Sequence, residues 1–267
     1  MNLEKILKPT IEIAKKAGAF IRKERQNFNH ERVENKGFND LVSYVDKEAE
    51  KMIVSGLKDI FPEAGFITEE GTVDQTQTAW KWIVDPLDGT TNFVHGVPVF
   101  SVSIALAHEG RIMLGVVYEV NLSECFYAYR GGGAFCNDTR IHVSGAATLS
   151  ESLIATGFPY QEGGKIDRYL ELLKYLLLNS HGLRRLGSAA VDLCYVASGR
   201  VEAYMEYNLQ SYDVAAGTLI LEEAGGKVTD FSGGGNYIFG GEIIASNGKI
   251  HESLRKKMDE IFAAKAL

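Results

Sequence analysis

The chain has 267 residues, 45% hydrophobic and 24% charged, which fits a soluble globular protein with a sizeable core. Its formal net charge of −7 does not advertise nucleic-acid or anionic-membrane binding, so neither partner is expected. Cys125, Cys136 and Cys194 show no CxxC or metal-ligand spacing and read as reduced structural thiols of a cytoplasmic protein.

Met1 to Ile21 carries charges throughout, so neither a signal peptide nor a membrane span is expected there. Leu3, Ile6, Leu7, Ile11, Ala14, Ala17 and Ile21 recur at helical spacing and predict an amphipathic helix. Residues 43–60 repeat that pattern, with Ser43 and Asp46 as a capping-box pair and Pro62 beyond the end. The period then changes. Trp82-Ile83-Val84 is an apolar strand. Phe100 to Leu106, Ile112 to Tyr118 and Cys125 to Tyr129 read as an antiparallel meander that turns at Glu109-Gly110.

After about residue 145 helices and strands alternate. A helix is predicted over Ile166 to Leu178, burying Tyr169, Leu170, Leu173, Leu176 and Leu177. Ser188 caps a helix ending at Gly199, Val201 to Tyr207 is a strand, and Tyr212-Asp213 precedes a helix over Val214 to Ala224. A strand over Glu242 to Ala245 leads to a terminal helix over Ile250 to Ala264. The chain divides into an α+β half, residues 1–144, and a mixed α/β half, residues 145–267.

The run Asp85-Pro86-Leu87-Asp88-Gly89-Thr90-Thr91-Asn92-Phe93 places two carboxylates three residues apart at a strand end, before a Gly-Thr-Thr turn. Carboxylates that hold a divalent cation beside backbone amides that hold an anion are what phosphate-ester chemistry requires. Thr68-Glu69-Glu70-Gly71, Glu206 and Ser211-Tyr212-Asp213 supply further oxygen donors. Each piece alone has a structural reading: Asp85, Asp88 and Asp213 as turn or N-cap residues, Glu69-Glu70 as a solvated loop. Gly131-Gly132-Gly133 reads as a turn, and the six histidines are scattered and pair with nothing. The joint occurrence of the acidic segments is what favours a site.

Trp82 to Phe93 and Tyr212-Asp213-Val214-Ala215-Ala216-Gly217 resemble the two signatures of the inositol monophosphatase family of metal-dependent, lithium-sensitive phosphatases, with Tyr212 where that family usually has Trp. Lys36, Asp40-Leu41-Val42-Ser43, Asp46, Glu69-Glu70 and Gly187-Ser188-Ala189-Ala190 fall where similar proteins have corresponding segments. The resemblance implies a layered α/β/α/β/α sandwich of the sugar-phosphatase type. Its first half would hold an antiparallel sheet and two long helices, and the site would lie between the halves.

It further implies two to three Mg²⁺ ions, with Mn²⁺ as a substitute. Glu69, Asp85 and the Leu87 carbonyl would hold the first, Asp85, Asp88 and Asp213 the second, and Glu69 a third. Glu69 and Thr90 would orient the attacking water, with Asp88 also in the catalytic set. Gly89 and Thr90 amides would hold phosphate. Asp88, Ala189, Glu206 and Asp213 would meet substrate hydroxyls, and Lys36, Asp46 and Glu70 would act from behind.

The implied reaction is hydrolysis of a phosphate monoester by metal-activated water, with inositol 1-phosphate the leading substrate and a homodimer the expected assembly. Fructose 1,6-bisphosphate and 3′-phosphoadenosine 5′-phosphate are the alternatives within the fold. A non-catalytic regulator associated with the transcription machinery and a calcium-stabilised structural protein are the alternatives outside this chemistry.

Overall fold

The computed structural model describes residues 2–28, 33–37, 40–74, 76, 78–158 and 165–263. In chain order the elements are α1 (Leu3–Gln26), β1 (Val33–Gly37), β2 (Asp40–Ser43), α2 (Tyr44–Ile60), β3 (Gly65–Thr68), β4 (Trp80–Asp88), α3 (Thr90–His95), β5 (Ser101–His108), β6 (Arg111–Glu119), β7 (Glu124–Tyr129), β8 (Gly133–Cys136) and β9 (Thr139–Arg140). Then come β10 (Leu153–Thr156), α4 (Ile166–Asn179), β11 (Gly182–Arg184), α5 (Ala189–Ala197), β12 (Ala203–Tyr207), α6 (Ser211–Glu223), β13 (Lys227–Thr229), β14 (Glu242–Ser246) and α7 (His251–Ala263). The side chains of Lys36, Asp40, Leu41 and Val42, and Ala264 altogether, lie outside what is described.

A seven-stranded sheet runs β3-β4-β5-β6-β7-β8-β9, and a five-stranded sheet runs β11-β10-β12-β14-β13. The meander β5-β6-β7 is antiparallel as predicted, but β3 pairs parallel with β4, so the first sheet is mixed. Period-two alternation sends Trp82 and Val84 of β4 into one apolar layer with α1 and α2. Ile83 goes to the other face, into a layer shared with α5, α6 and Tyr204, Ile243 and Ala245 of the second sheet. Ile154, Met205 and Ile244 cover that sheet's far side against α4 and α7. The result is the expected α/β/α/β/α stack, with α5 and α6 between the sheets.

Several local expectations change. Leu170 and Leu177 of α4 are 55% and 59% exposed, and Leu172 is buried in their place. Helix α6 begins at Ser211, three residues before the expected start, which puts Asp213 inside the first turn; Gln210 is the N-cap. His251 is not solitary: it is buried between Thr229 Oγ1 and Ser246 Oγ at 3.0 and 2.9 Å, and burial lowers its pKa to about 4. The three cysteines are free, with Cys125 and Cys194 buried. No helix among the described residues is long and apolar enough to cross a membrane.

Candidate active site

In a regular strand, residues three apart face opposite sides. Asp85 pairs with Ser103 and Asp88 with Ser101, so β4 uses three steps where β5 uses two. This bulge at Pro86-Leu87 shifts the phase by one residue and turns both carboxylates into the same cleft. Proline suits the spot because it has no N–H to lose from the ladder. The Leu87 amide donates to Asp85 Oδ1 at 2.9 Å and fixes that side chain.

Gly89 follows in the left-handed region, at φ 98°. A Cβ there would also press on the Val99 and Gly187 carbonyls at 3.0 and 3.1 Å, so only glycine fits. Helix α3 starts directly after it with no side-chain cap, and Gly89, Thr90 and Thr91 line the cleft. The Thr90 hydroxyl lies 2.8 Å from Asp46 Oδ1 and 3.0 Å from the Leu87 carbonyl oxygen. With its proton directed there, its lone pairs can accept from the cleft. Asp46 Oδ2 closes the capping box of α2, accepting from the Ser43 amide and hydroxyl at 2.9 and 2.6 Å. One residue thus caps α2 and orients Thr90.

Glu69 follows β3 and lines the cleft, whereas Glu70 does not. The loop is held by a residue that sequence reasoning missed. Glu50, fully buried on α2, accepts from the Glu70 and Thr72 amides, each at 2.7 Å.

The second half closes the cleft. Asp88 Oδ2 accepts from the Ser188 hydroxyl at 2.6 Å and from the Ala190 amide at 2.8 Å, at the start of α5. Asp213 Oδ2 accepts from the Gln210 amide at 2.6 Å. On β12 the alternation that sends Met205 and Tyr207 toward α4 turns Tyr204 and Glu206 the other way. The Tyr204 hydroxyl donates to Glu206 Oε2 at 2.5 Å, and a Cβ on Gly157 would overlap that carboxylate. Gly157, Arg185 and Asp192 line the cleft and were not singled out from the sequence. For Asp192 a signal existed: it is the one charged residue in the otherwise apolar and aromatic run Ala189–Ala197.

The cleft, about 210 Å³, thus gathers Glu69, Asp85, Leu87, Asp88, Gly89, Thr90, Ala189, Glu206 and Asp213. Lys36 cannot be placed, because its side chain lies outside the described residues. Among the described residues, six carboxyl groups line the cleft against one arginine, Arg185. Burial, then the Glu69, Asp88 and Asp213 charges, hold Asp85 well above the usual carboxylate range. Burial and the Asp88 charge raise Asp213 likewise. Burial pushes Asp88 to about 6 despite its bonds to Ser188 and Ala190, and Glu206 to about 7 despite Tyr204. Asp192 is raised well above its usual range by burial and by Glu206 and Asp88.

Among the described residues, no three His, Cys, Asp or Glu side chains already stand at metal-binding distances. The donor chemistry nonetheless fits a hard divalent cation. Glu69, Asp85, Asp88 and Asp213 are oxygen donors that line the cleft within reach of one another's charge, and their mutual repulsion is what a cation would relieve.

A layered αβαβα fold with an acidic cleft beside a strand-to-helix amide turn defines a phosphatase-type scaffold. A profile of the inositol monophosphatase family matches residues 2–263, and the chain belongs to that family. It is 41% identical over 251 residues to the putative Nus factor SuhB of Neisseria meningitidis serogroup B, covering 94% of this chain and 96% of that one. It is 40% identical over 261 residues to the inositol-1-monophosphatase of Mesorhizobium japonicum, covering 97% and 98%. The crystal structure of the extragenic suppressor protein suhB from Bartonella henselae superposes with a TM-score of 0.89 at 41% identity, covering 96% and 98%.

Proposed function

We propose that this member of a phosphatase family hydrolyses the phosphate monoester of a small polyol, with inositol 1-phosphate the leading substrate, in a Mg²⁺-dependent reaction. The observation that carries this reading is the bulge at Pro86-Leu87, which turns Asp85 and Asp88 into the cleft that also holds Glu69 and Asp213. Glu69, Asp85, Asp88, Asp213 and the Leu87 carbonyl would hold the ions. Bound divalent cations supply charge neutralisation of the phosphoryl group and acidify water.

The chain's own residues do the rest. Thr90, its proton directed to Asp46 and the Leu87 carbonyl, accepts a hydrogen bond from the attacking water and aims it. Glu69, which lines the same cleft, would orient the same water. The first amides of α3 receive phosphate oxygens. Glu206, clamped by Tyr204, accepts from a substrate hydroxyl. Asp88, fixed by Ser188 and Ala190, ties the metal end to the substrate end. A homodimer is part of the same reading.

The test is phosphate release from inositol, sugar and nucleotide monophosphates with and without Mg²⁺. Release from inositol 1-phosphate that EDTA abolishes, Mg²⁺ restores and millimolar lithium inhibits is the expected result. No Mg²⁺-dependent release from any ester contradicts it. Relatives named Nus factor favour a second reading, in which the protein is a non-catalytic regulator associated with the transcription machinery. Recovery of polymerase-associated proteins on an affinity column, with no activity on the ester panel, would favour that reading over catalysis.

A further inference from the structure

Asp192 is the charged residue of α5, whose remaining buried residues are apolar. It is 1% exposed, it lines the cleft, and its Oδ1 has no hydrogen-bond partner. A fold rarely leaves a buried carboxylate oxygen unsatisfied, because the lost hydration is not repaid; such an atom calls for a ligand group. The start of α5 does not explain it. The N-cap there is Ser188, whose hydroxyl accepts from Val191, and Asp192 contributes only its amide, donated to the Ser188 carbonyl.

Asp192 feels the charges of Glu206 and then Asp88, with Arg185 opposing them, so it lies near the substrate-facing Glu206 as well as near the proposed ion ligand Asp88. Glu206 is oriented by Tyr204 and fits only because residue 157 is glycine. Two carboxyl groups from different elements, α5 and β12, thus line the same cleft, and the Arg185 charge acts on both. The Arg185 charge disfavours a further cation there, and neutral hydroxyl donors are the better match.

We propose that Asp192 is a specificity-determining residue which, with Glu206, binds adjacent ring hydroxyls of the substrate on the side away from the phosphate. The proposal rests on the polyol-phosphate reading above and adds to it: the preferred ester carries neighbouring free hydroxyls, one for each carboxyl group. A site built to bond a hydroxyl rejects an analogue without it far more strongly than an apolar pocket would.

The experiment compares kcat/KM on inositol 1-phosphate with kcat/KM on cyclohexyl phosphate, which has the same ring and ester but no free hydroxyls. In Asp192→Leu, similar in shape, the ratio of the two is expected to fall at least about tenfold, mainly through KM for inositol 1-phosphate. Asp192→Ala gives the same readout if leucine is not accommodated. A ratio within twofold of wild type, whatever the absolute rates, overturns the proposal, because a purely structural role would lower both substrates alike. Wild-type protein that hydrolyses neither ester in Mg²⁺ overturns the parent reading, and this one with it.

Discussion

At Asp88 three demands meet: it faces the cleft because β4 bulges, it accepts from the first turn of α5, and burial lifts its pKa to about 6. Asp88→Asn keeps the shape and most of the hydrogen bonding but removes the charge. We expect turnover to fall by about 10²–10³-fold or more, the scale of losing one electrostatic contact in a preorganised site, with no loss of melting temperature. Near wild-type turnover would remove Asp88 from the proposed role. The Asp85–Asp88 pair was legible because its spacing and turn chemistry are local. Glu50, Gly157 and Asp192 were not singled out. A glutamate on an amphipathic helix reads as a solvated face, and what a glycine makes room for is visible only when Glu206 arrives from another strand.

Helix α2 shows how an element can serve both scaffold and site. Asp46 at its start reaches Thr90, and Glu50 one turn later holds the Glu70 and Thr72 amides. Glu50→Ala strands two loop amides, so a loss of about 2–4 kcal/mol in stability is expected. The looser Glu69 loop should also raise the Mg²⁺ concentration needed for half-maximal activity. Denaturant melts and a Mg²⁺ titration check both, and an unchanged titration would mean that Glu50 serves only the fold. Just after β10, Gly157→Ala should displace Glu206 of β12 and raise KM for a polyol ester by about tenfold; an unchanged KM would show that Glu206 does not touch substrate. Periodicity located α1, α2, α4 and the meander well. It misassigned Leu170 and Leu177, because α4 packs on the second sheet through the face marked by Tyr169, Leu172 and Leu176. The strands β10, β11 and β13 went unread, being short and paired only with distant partners.

Across the whole molecule, two sheets with α5 and α6 between them enclose a cleft lined by buried acidic groups. Those groups make stability depend on pH. Asp88 and Glu206 have folded-state pKa values of about 6 and about 7, above their ordinary 3.8 and 4.5. The ion-free fold therefore binds more protons than the unfolded chain. The stabilisation is full below pH 4 and is lost as pH rises through 6 and 7. Asp85, Asp192 and Asp213 act in the same direction. In EDTA the melting temperature is expected to fall by roughly 5–10 °C between pH 4.5 and 7.5, and Mg²⁺ at pH 7.5 should restore most of it. A flat profile, or one indifferent to Mg²⁺, would contradict this electrostatic account.

The most direct measurement is anomalous diffraction from crystals soaked in Mn²⁺ at neutral pH. Peaks bonded to oxygens of Glu69, Asp85, Asp88 and Asp213 are the predicted result. Well-ordered carboxylates in that cleft with no manganese among them would contradict it.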